Sequence, residues 1–117
     1  MLFRSQIVGM QKARAEVRVS APVRAYATDI VRRTRDHPLL WIGGSPRATL
    51  GLLRSSQALA LLRGREFVLP DDVKTLARPA LSHRLILKER ERVRGKGIED
   101  ILEEVLETTP VPPKIDA

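Results

Sequence analysis

The chain has no cysteine among its 117 residues, which rules out a disulfide framework and any thiolate metal site. Aromatic residues are almost as scarce: Phe3, Tyr26, Trp41 and Phe67 are the full set. A core must therefore be assembled from Leu, Val, Ile and Ala, which favours packed helices over a β-sandwich with its alternating β-branched and aromatic positions. Histidine is limited to His37 and His83, and neither sits in a spacing that puts two metal ligands on one helical face. No apolar run approaches membrane-spanning length, and the N-terminus lacks the charged and apolar regions of a secretory leader. These absences fit a cytoplasmic protein.

What the sequence does contain is positive charge, unevenly placed. Residues 1–97 hold 20 Lys and Arg against 8 Asp and Glu, a net +12, whereas residues 98–117 hold one Lys against six acids, a net −5. Such a basic body can serve nucleic acid or an acidic protein surface, and the acidic end can dock back on the body.

Capping residues and apolar spacing divide the chain into helices. A first helix with a weak stripe is predicted from about Ser5 to Val17. Ser20 and Pro22 open a second, on which Val23, Tyr26, Ala27, Ile30, Val31 and Thr34 keep helical spacing to about Asp36. His37-Pro38 ends it, because a residue before proline is pushed out of the α region. Leu39 to Ile42 form a short apolar segment closed by Gly43-Gly44. Ser45-Pro46-Arg47 then starts a third helix, with Leu50, Leu53, Ala58, Leu59, Leu61 and Leu62 as a broad apolar surface and Gly64 as its stop. After a short extended connection, Pro70-Asp71-Asp72 opens a fourth, carboxylates at the positive end of its dipole. Its core positions are Val73, Leu76, Ala77, Ala80 and Leu81, continuing to Leu85, and Pro79 is expected to kink or divide it. Lys88 to Gly97 read as a charged connector. Ile98, Ile101, Leu102, Val105 and Leu106 make a last amphipathic helix, followed by a proline-containing tail. No strand pair is apparent. The expected fold is all-α, a small bundle of four to five helices with a domain over residues 1–107 and an extended tail over 108–117.

A self-contained enzyme should show a catalytic constellation, and none is present. Ser55-Ser56 has no base at a recognisable spacing. Asp71-Asp72 is explained by the helix dipole and Glu103-Glu104 by a solvated face. Gly43-Gly44 lacks the G-x-x-x-x-G-K-[ST] setting of a phosphate loop. His37 and His83 read as capping or packing residues. Arg47 is the exception: a guanidinium in the first turn of a capped helix, beside unpaired amides, suits a phosphate oxygen. The alternative for it is a solvated arginine at a helix start.

In order along the chain, Val19-Ser20, Ile30-Val31-Arg32-Arg33-Thr34-Arg35, His37-Pro38, Gly43-Gly44-Ser45-Pro46-Arg47-Ala48, Gly64-Arg65, Pro70-Asp71-Asp72-Val73 and Leu81-Ser82-His83-Arg84-Leu85 resemble the C-terminal lid of MoxR-family AAA+ ATPases. The Ser-Pro-Arg segment is the most diagnostic piece, and the ending with Pro110-Val111-Pro112 is similar too. The resemblance implies a helical lid that moves as a rigid body with nucleotide state. It implies that Arg47 is the sensor 2 arginine, reaching the γ-phosphate of ATP held by a core domain, with Ser45 and Pro46 fixing its helix start. Walker A, Walker B, sensor 1 and the arginine finger have no counterpart here, so ATP and its Mg²⁺ would be held by that core domain and this chain alone should not hydrolyse ATP. Expected partners are the core domain, neighbouring subunits of a ring (a hexamer by family habit), and a von Willebrand factor A domain protein. The expected role is chaperone-like remodelling or activation of other proteins, including metal-cofactor insertion. Trp41, Ile42 and Tyr26 are expected in the lid core.

Two rivals remain at this level. A nucleic-acid-binding module accounts for the basic body, but no arginine-rich recognition helix stands out and aromatics for base stacking are nearly absent. An adaptor that dimerises through its acidic last helix is the other.

Overall fold

The computed structural model describes residues 4–38, 40–42, 46–82, 86–87 and 97–113. It contains α1 (Arg4–Ala15), α2 (Ala21–Arg35), β1 (Leu40–Ile42), α3 (Pro46–Leu62), α4 (Pro70–Leu81), β2 (Ile86–Leu87) and α5 (Ile98–Thr108). The architecture is an all-α bundle carrying one very short ribbon.

α2 is the central helix. Ser20 caps it, its Oγ accepting from the Val23 amide at 3.4 Å, and Pro22 occupies the first turn, where a missing N–H costs nothing. Val23, Tyr26, Ala27, Ile30, Val31 and Thr34, the positions expected from spacing, are all buried. Thr34 keeps its hydroxyl satisfied by donating to the Val31 carbonyl at 2.6 Å, as a buried polar group must. α4 packs on α3 and α2 through Val73, Ala77 and Leu81, with Leu76 and Ala80 at the margin. It runs unbroken through Pro79 to Leu81, so the expected division does not occur. Pro79 is exposed in the last turn, and the Thr75 carbonyl that loses its amide partner lies on an exposed flank, where solvent can satisfy it. The expected continuation of this helix to Leu85 falls on residues 83–85, outside the described set.

α3 corrects a different expectation. Its core side is Ala48, Leu52, Leu53, Ser56 and Ala60, and Ser56 donates to the Leu52 carbonyl at 2.7 Å. Leu50, Leu61 and Leu62, read from the sequence as part of one broad apolar surface, lie off the core side and are exposed. The helix stops at a left-handed residue: Gly64 has φ +74°, its amide donates to the Leu61 carbonyl at 3.0 Å, and the Arg65 amide reaches back to Ala60 at 2.9 Å. This pair of bonds satisfies carbonyls that the helix end would orphan. A Cβ at Gly64 would meet nothing, so Gly64→Ala should cost only the left-handed backbone penalty, about 1–2 kcal/mol, read as a lower urea midpoint at unchanged slope.

α1 is held by polar links more than by burial. Gln57 on α3 donates to the Val17 carbonyl at 2.8 Å and accepts from Arg14 at 3.3 Å. The α1–α2 and α3–α4 connections run side by side, with Arg18 N–H donating to Glu66 and Val68 N–H donating to Arg18, both at 2.9 Å. Val17, expected at the helix end, lies just beyond it and is buried.

β1 and β2 pair antiparallel, a ribbon not apparent in the sequence because strands of three and two residues carry no readable period. The side chains of Trp41 and Ile42, expected in the core, lie outside the described residues.

α5 seats its apolar face on α2 and α4. Ile101, Leu102, Val105 and Leu106 are buried, while Arg78 pairs with Glu103 and Arg33 donates to the Thr108 carbonyl at 3.2 Å. His37 Nε2 lies 3.7 Å from the Glu104 carboxylate. The acidic helix thus closes on the basic body. Its apolar face is spent inside the fold, which removes the basis for an adaptor that dimerises through it.

Tyr26 is an anomaly among the described residues of this interior. It is 3% exposed, and its hydroxyl is the buried side-chain polar atom left without a hydrogen-bond partner among the described residues. Burial, aided by the charge of Asp71, pushes its phenol above the ordinary value. Because the folded state prefers the neutral phenol, its contribution to stability is present below the unfolded pKa, about 10, and is lost as pH rises through the folded one. Tyr26→Phe should therefore stabilise the fold by about 1 kcal/mol and remove this source of alkaline loss, which urea unfolding at neutral and high pH would show.

Candidate functional site

Arg47 stands in the first turn of α3, one residue after Pro46. It is exposed, while its neighbour Ala48 is buried against the core at 2% exposure. The backbone of this turn is thus fixed from below and the guanidinium projects outward. Among the described residues Arg47 has no ion-pair partner, in contrast to Arg32, Arg33, Arg63, Arg65 and Arg78, which all have one. The first turn carries no acidic residue, so no carboxylate of its own offsets the positive end of the helix dipole. Cation and dipole therefore point the same sign toward solvent, an arrangement that disfavours folding slightly and favours an anion. Pro46 begins the helix as expected, its side chain outside the described set. Ser45 and the glycine pair before it lie outside the described residues, as does His83.

The opposite end of α3, about 24 Å away at 1.5 Å per residue, holds an arginine–aspartate cluster that sequence reasoning did not find. Asp72 is fully buried. Arg65 grips both its oxygens, at 2.6 Å and 2.5 Å, Arg63 adds a bond at 3.0 Å, and the Leu69 amide donates at 2.8 Å. Burial pushes the Asp72 carboxyl upward, but the Arg65 and Leu69 hydrogen bonds and the two guanidinium charges outweigh it, so its pKa falls below the ordinary value. The hydrogen bond to Asp72, opposed by burial and assisted by the charges of Asp72 and Asp71, raises Arg65 further. The sequence reading assigned Asp72 to the helix dipole alone. The missed signal was Arg63-Gly64-Arg65, a helix stop flanked by arginines a few residues upstream.

The Asp72 carboxylate is enclosed, its oxygens taken by Arg65, Arg63 and the Leu69 amide, while the Arg65 and Arg63 side chains stay 21% and 42% exposed. The cluster positions rather than reacts: it ties the end of α3 to the start of α4. Among the described residues no group of His, Asp or Glu side chains could hold a metal ion, and no helix is long and apolar enough to cross a membrane. Among the described residues Arg18, Arg24, Arg35, Arg47 and Arg54 are exposed without an ion pair, and Arg47 is the one that stands second in its helix.

Comparison with known proteins agrees with the geometry. Residues 32–105 match the family model described as AAA lid domain. The chain is 33% identical over 112 residues to the uncharacterised protein YeaC of Bacillus subtilis, covering 96% of this chain and 35% of YeaC. It is 38% identical over 74 residues to Chaperone MoxR1 of Mycobacterium tuberculosis, covering 62% of this chain and 20% of that protein. A crystal structure from Cytophaga hutchinsonii, of a protein described by inference as an ATPase, superposes with a TM-score of 0.82 at 27% identity, covering 86% of this chain and 33% of that one. The chain therefore spans about a third or less of the proteins it matches. It belongs to the AAA lid domain family and is the C-terminal lid of a MoxR-type AAA+ ATPase.

Proposed function

We propose that this lid supplies Arg47 as the sensor 2 residue of a nucleotide-driven, chaperone-like ring. The observation that carries the reading is the exposure of Arg47 on a rigid helix start, with no partner among the described residues and no acid in the turn around it. A guanidinium held this way stabilises charge that builds on a γ-phosphate during transfer, at no reorganisation cost in the reacting state. ATP and Mg²⁺ would be bound by the core domain of the full-length protein, and the lid, residues 1–107 with its tail, would swing with nucleotide state. The core domain and neighbouring subunits are the proposed direct partners. A hexameric ring, a von Willebrand factor A domain partner, metal-cofactor insertion and a cytoplasmic setting complete the proposal. One of the similar proteins being named a chaperone supports the remodelling role. ATP turnover and ATP affinity of the full-length protein, with and without Arg47→Ala, test it. Lost turnover with retained binding is the expected result, and unchanged turnover removes Arg47 from the mechanism.

A further inference from the structure

Charge of opposite sign gathers at two separate ends of the bundle. α1 carries Arg4, Lys12 and Arg14, and α3 carries Arg47 and Arg54, with no Asp or Glu in either helix. α5 carries Glu99, Asp100, Glu103, Glu104 and Glu107 and no cation, and all five carboxylates are on exposed residues. α1 packs on α3, whereas α5 packs on α2 and α4. A basic pair of helices and an acidic helix thus flank the middle of the fold.

The large apolar side chains left uncovered follow the same division. Among the described residues they are Val8, Met10, Leu50, Leu61 and Leu62 on α1 and α3, and Val111 just past α5. Between the two ends, α2 and α4 expose none. Scattered apolar exposure is ordinary, but exposure confined to two oppositely charged ends marks both as surfaces that another body covers. Each end also carries a cost by itself. Glu99, Glu103 and Glu107 recur every four residues along α5, where like charges repel. Arg78 meets Glu103 and His37 lies beside Glu104, while Glu99 and Glu107 have no ion pair among the described residues. At the other end Val8 to Lys12 are exposed on every side, and a helical segment without packing is marginal in water.

We infer that the acidic outer face of α5 in one copy of this chain seats on the basic α1–α3 end of a second copy, head to tail. Glu99 and Glu107, about 12 Å apart along α5, face the cations of α1 and α3, and Val111 adds to the apolar contact. Every copy offers one surface of each kind, so the contact is heterologous and repeats from copy to copy. It joins lid to lid, leaves the apolar side of α5 inside its own fold, and stands apart from the Arg47 reading. A nucleic acid would satisfy the charge of the basic end but not its exposed leucines, since such interfaces are more polar than those between proteins.

Sedimentation equilibrium of the 117-residue chain tests the contact. Association that rises with concentration at low salt is expected, and its loss near about 1 M salt, where the screening length falls to about 3 Å. Lys12→Glu with Arg54→Glu makes both ends acidic, and Glu99→Lys with Glu107→Lys makes both basic. Each pair should weaken self-association about tenfold or more. An equimolar mixture of the two variants should associate again, because each supplies the end the other has lost. All four positions are exposed, and helical circular dichroism with the thermal midpoint checks that the variants fold. A carbodiimide, which joins an amine to a carboxylate in direct contact, should link Lys12 of one copy to Glu99 or Glu107 of another in a mixture of isotopically light and heavy chain. A chain that stays monomeric at low salt, association that survives both reversals, or a mixture that fails to associate overturns the inference. So does binding of a duplex DNA probe by a chain that remains monomeric, which would give the basic end to a polyanion.

Discussion

Asp72→Ala is expected to lower the unfolding free energy by about 3–5 kcal/mol, the range for stripping one partner from a buried ion pair. A small domain holds only about 5–15 kcal/mol in total, so the variant should be close to unfolded at physiological temperature. The size follows from what is left behind. Arg65, at 21% side-chain exposure, keeps its charge and loses both oxygens that bound it, and the Leu69 amide loses its acceptor. Asp71 is the internal control: its carboxylate is 63% exposed and 3.6 Å from Arg63, so Asp71→Ala should change stability by less than about 1 kcal/mol. Urea unfolding of both variants separates the two. A loss under about 1 kcal/mol for Asp72→Ala would mean the cluster is no more than a surface pair. The same carboxylate sets an acid dependence. Its folded pKa lies below its unfolded value, so its stabilisation is present above about pH 4 and drains away as pH falls through the folded pKa. Asp72→Asn should flatten that acid limb while lowering the plateau.

On the proposed sensor 2 role, Arg47→Ala in the full-length protein is expected to lower ATP turnover about 10²–10³-fold, the cost of removing one preorganised donor from a transition-state charge. Two features let this be read cleanly. Arg47 is exposed and unpaired among the described residues while Ala48 is buried, so truncation leaves the core intact and the thermal midpoint of the isolated chain should not move. Binding of ATP should change far less than turnover, because the charge that Arg47 would meet in the proposed role develops mostly during transfer. Arg47→Lys should recover only part of the rate, since an ammonium keeps the charge and lacks the planar fork. Turnover within a few-fold of wild type would return Arg47 to the class of solvated helix-start arginines.

The two sites differ in how far the sequence reveals them, for a physical reason. α2 and α5 are readable almost residue by residue, because each buries a single stripe on one side and the spacing of Val23 to Thr34 and of Ile101 to Leu106 records it. α3 is apolar on more than one side, so spacing alone could not tell the core side at Leu52 and Leu53 from the outward leucines. The position of Arg47 is local information, written in the proline before it. The Arg65–Asp72 cluster is tertiary: it exists because the chain doubles back after α3, and only the glycine between two arginines hints at that. The β1–β2 ribbon is shorter than any period that could announce it.

The turn at Gly64 has one more implication. The left-handed residue that ends α3 also aims Arg65 at Asp72, and the stretch between them is tied midway, where Arg18 bonds to Glu66 and Val68. Most surface connections tolerate added residues at little cost, because loop closure grows only slowly with length. This one is gauged at three points, so a single inserted residue would throw the guanidinium off its carboxylate. Its length, more than its composition, should be the trait that evolution holds constant between residues 63 and 72, with insertions displaced to the free ends of the bundle.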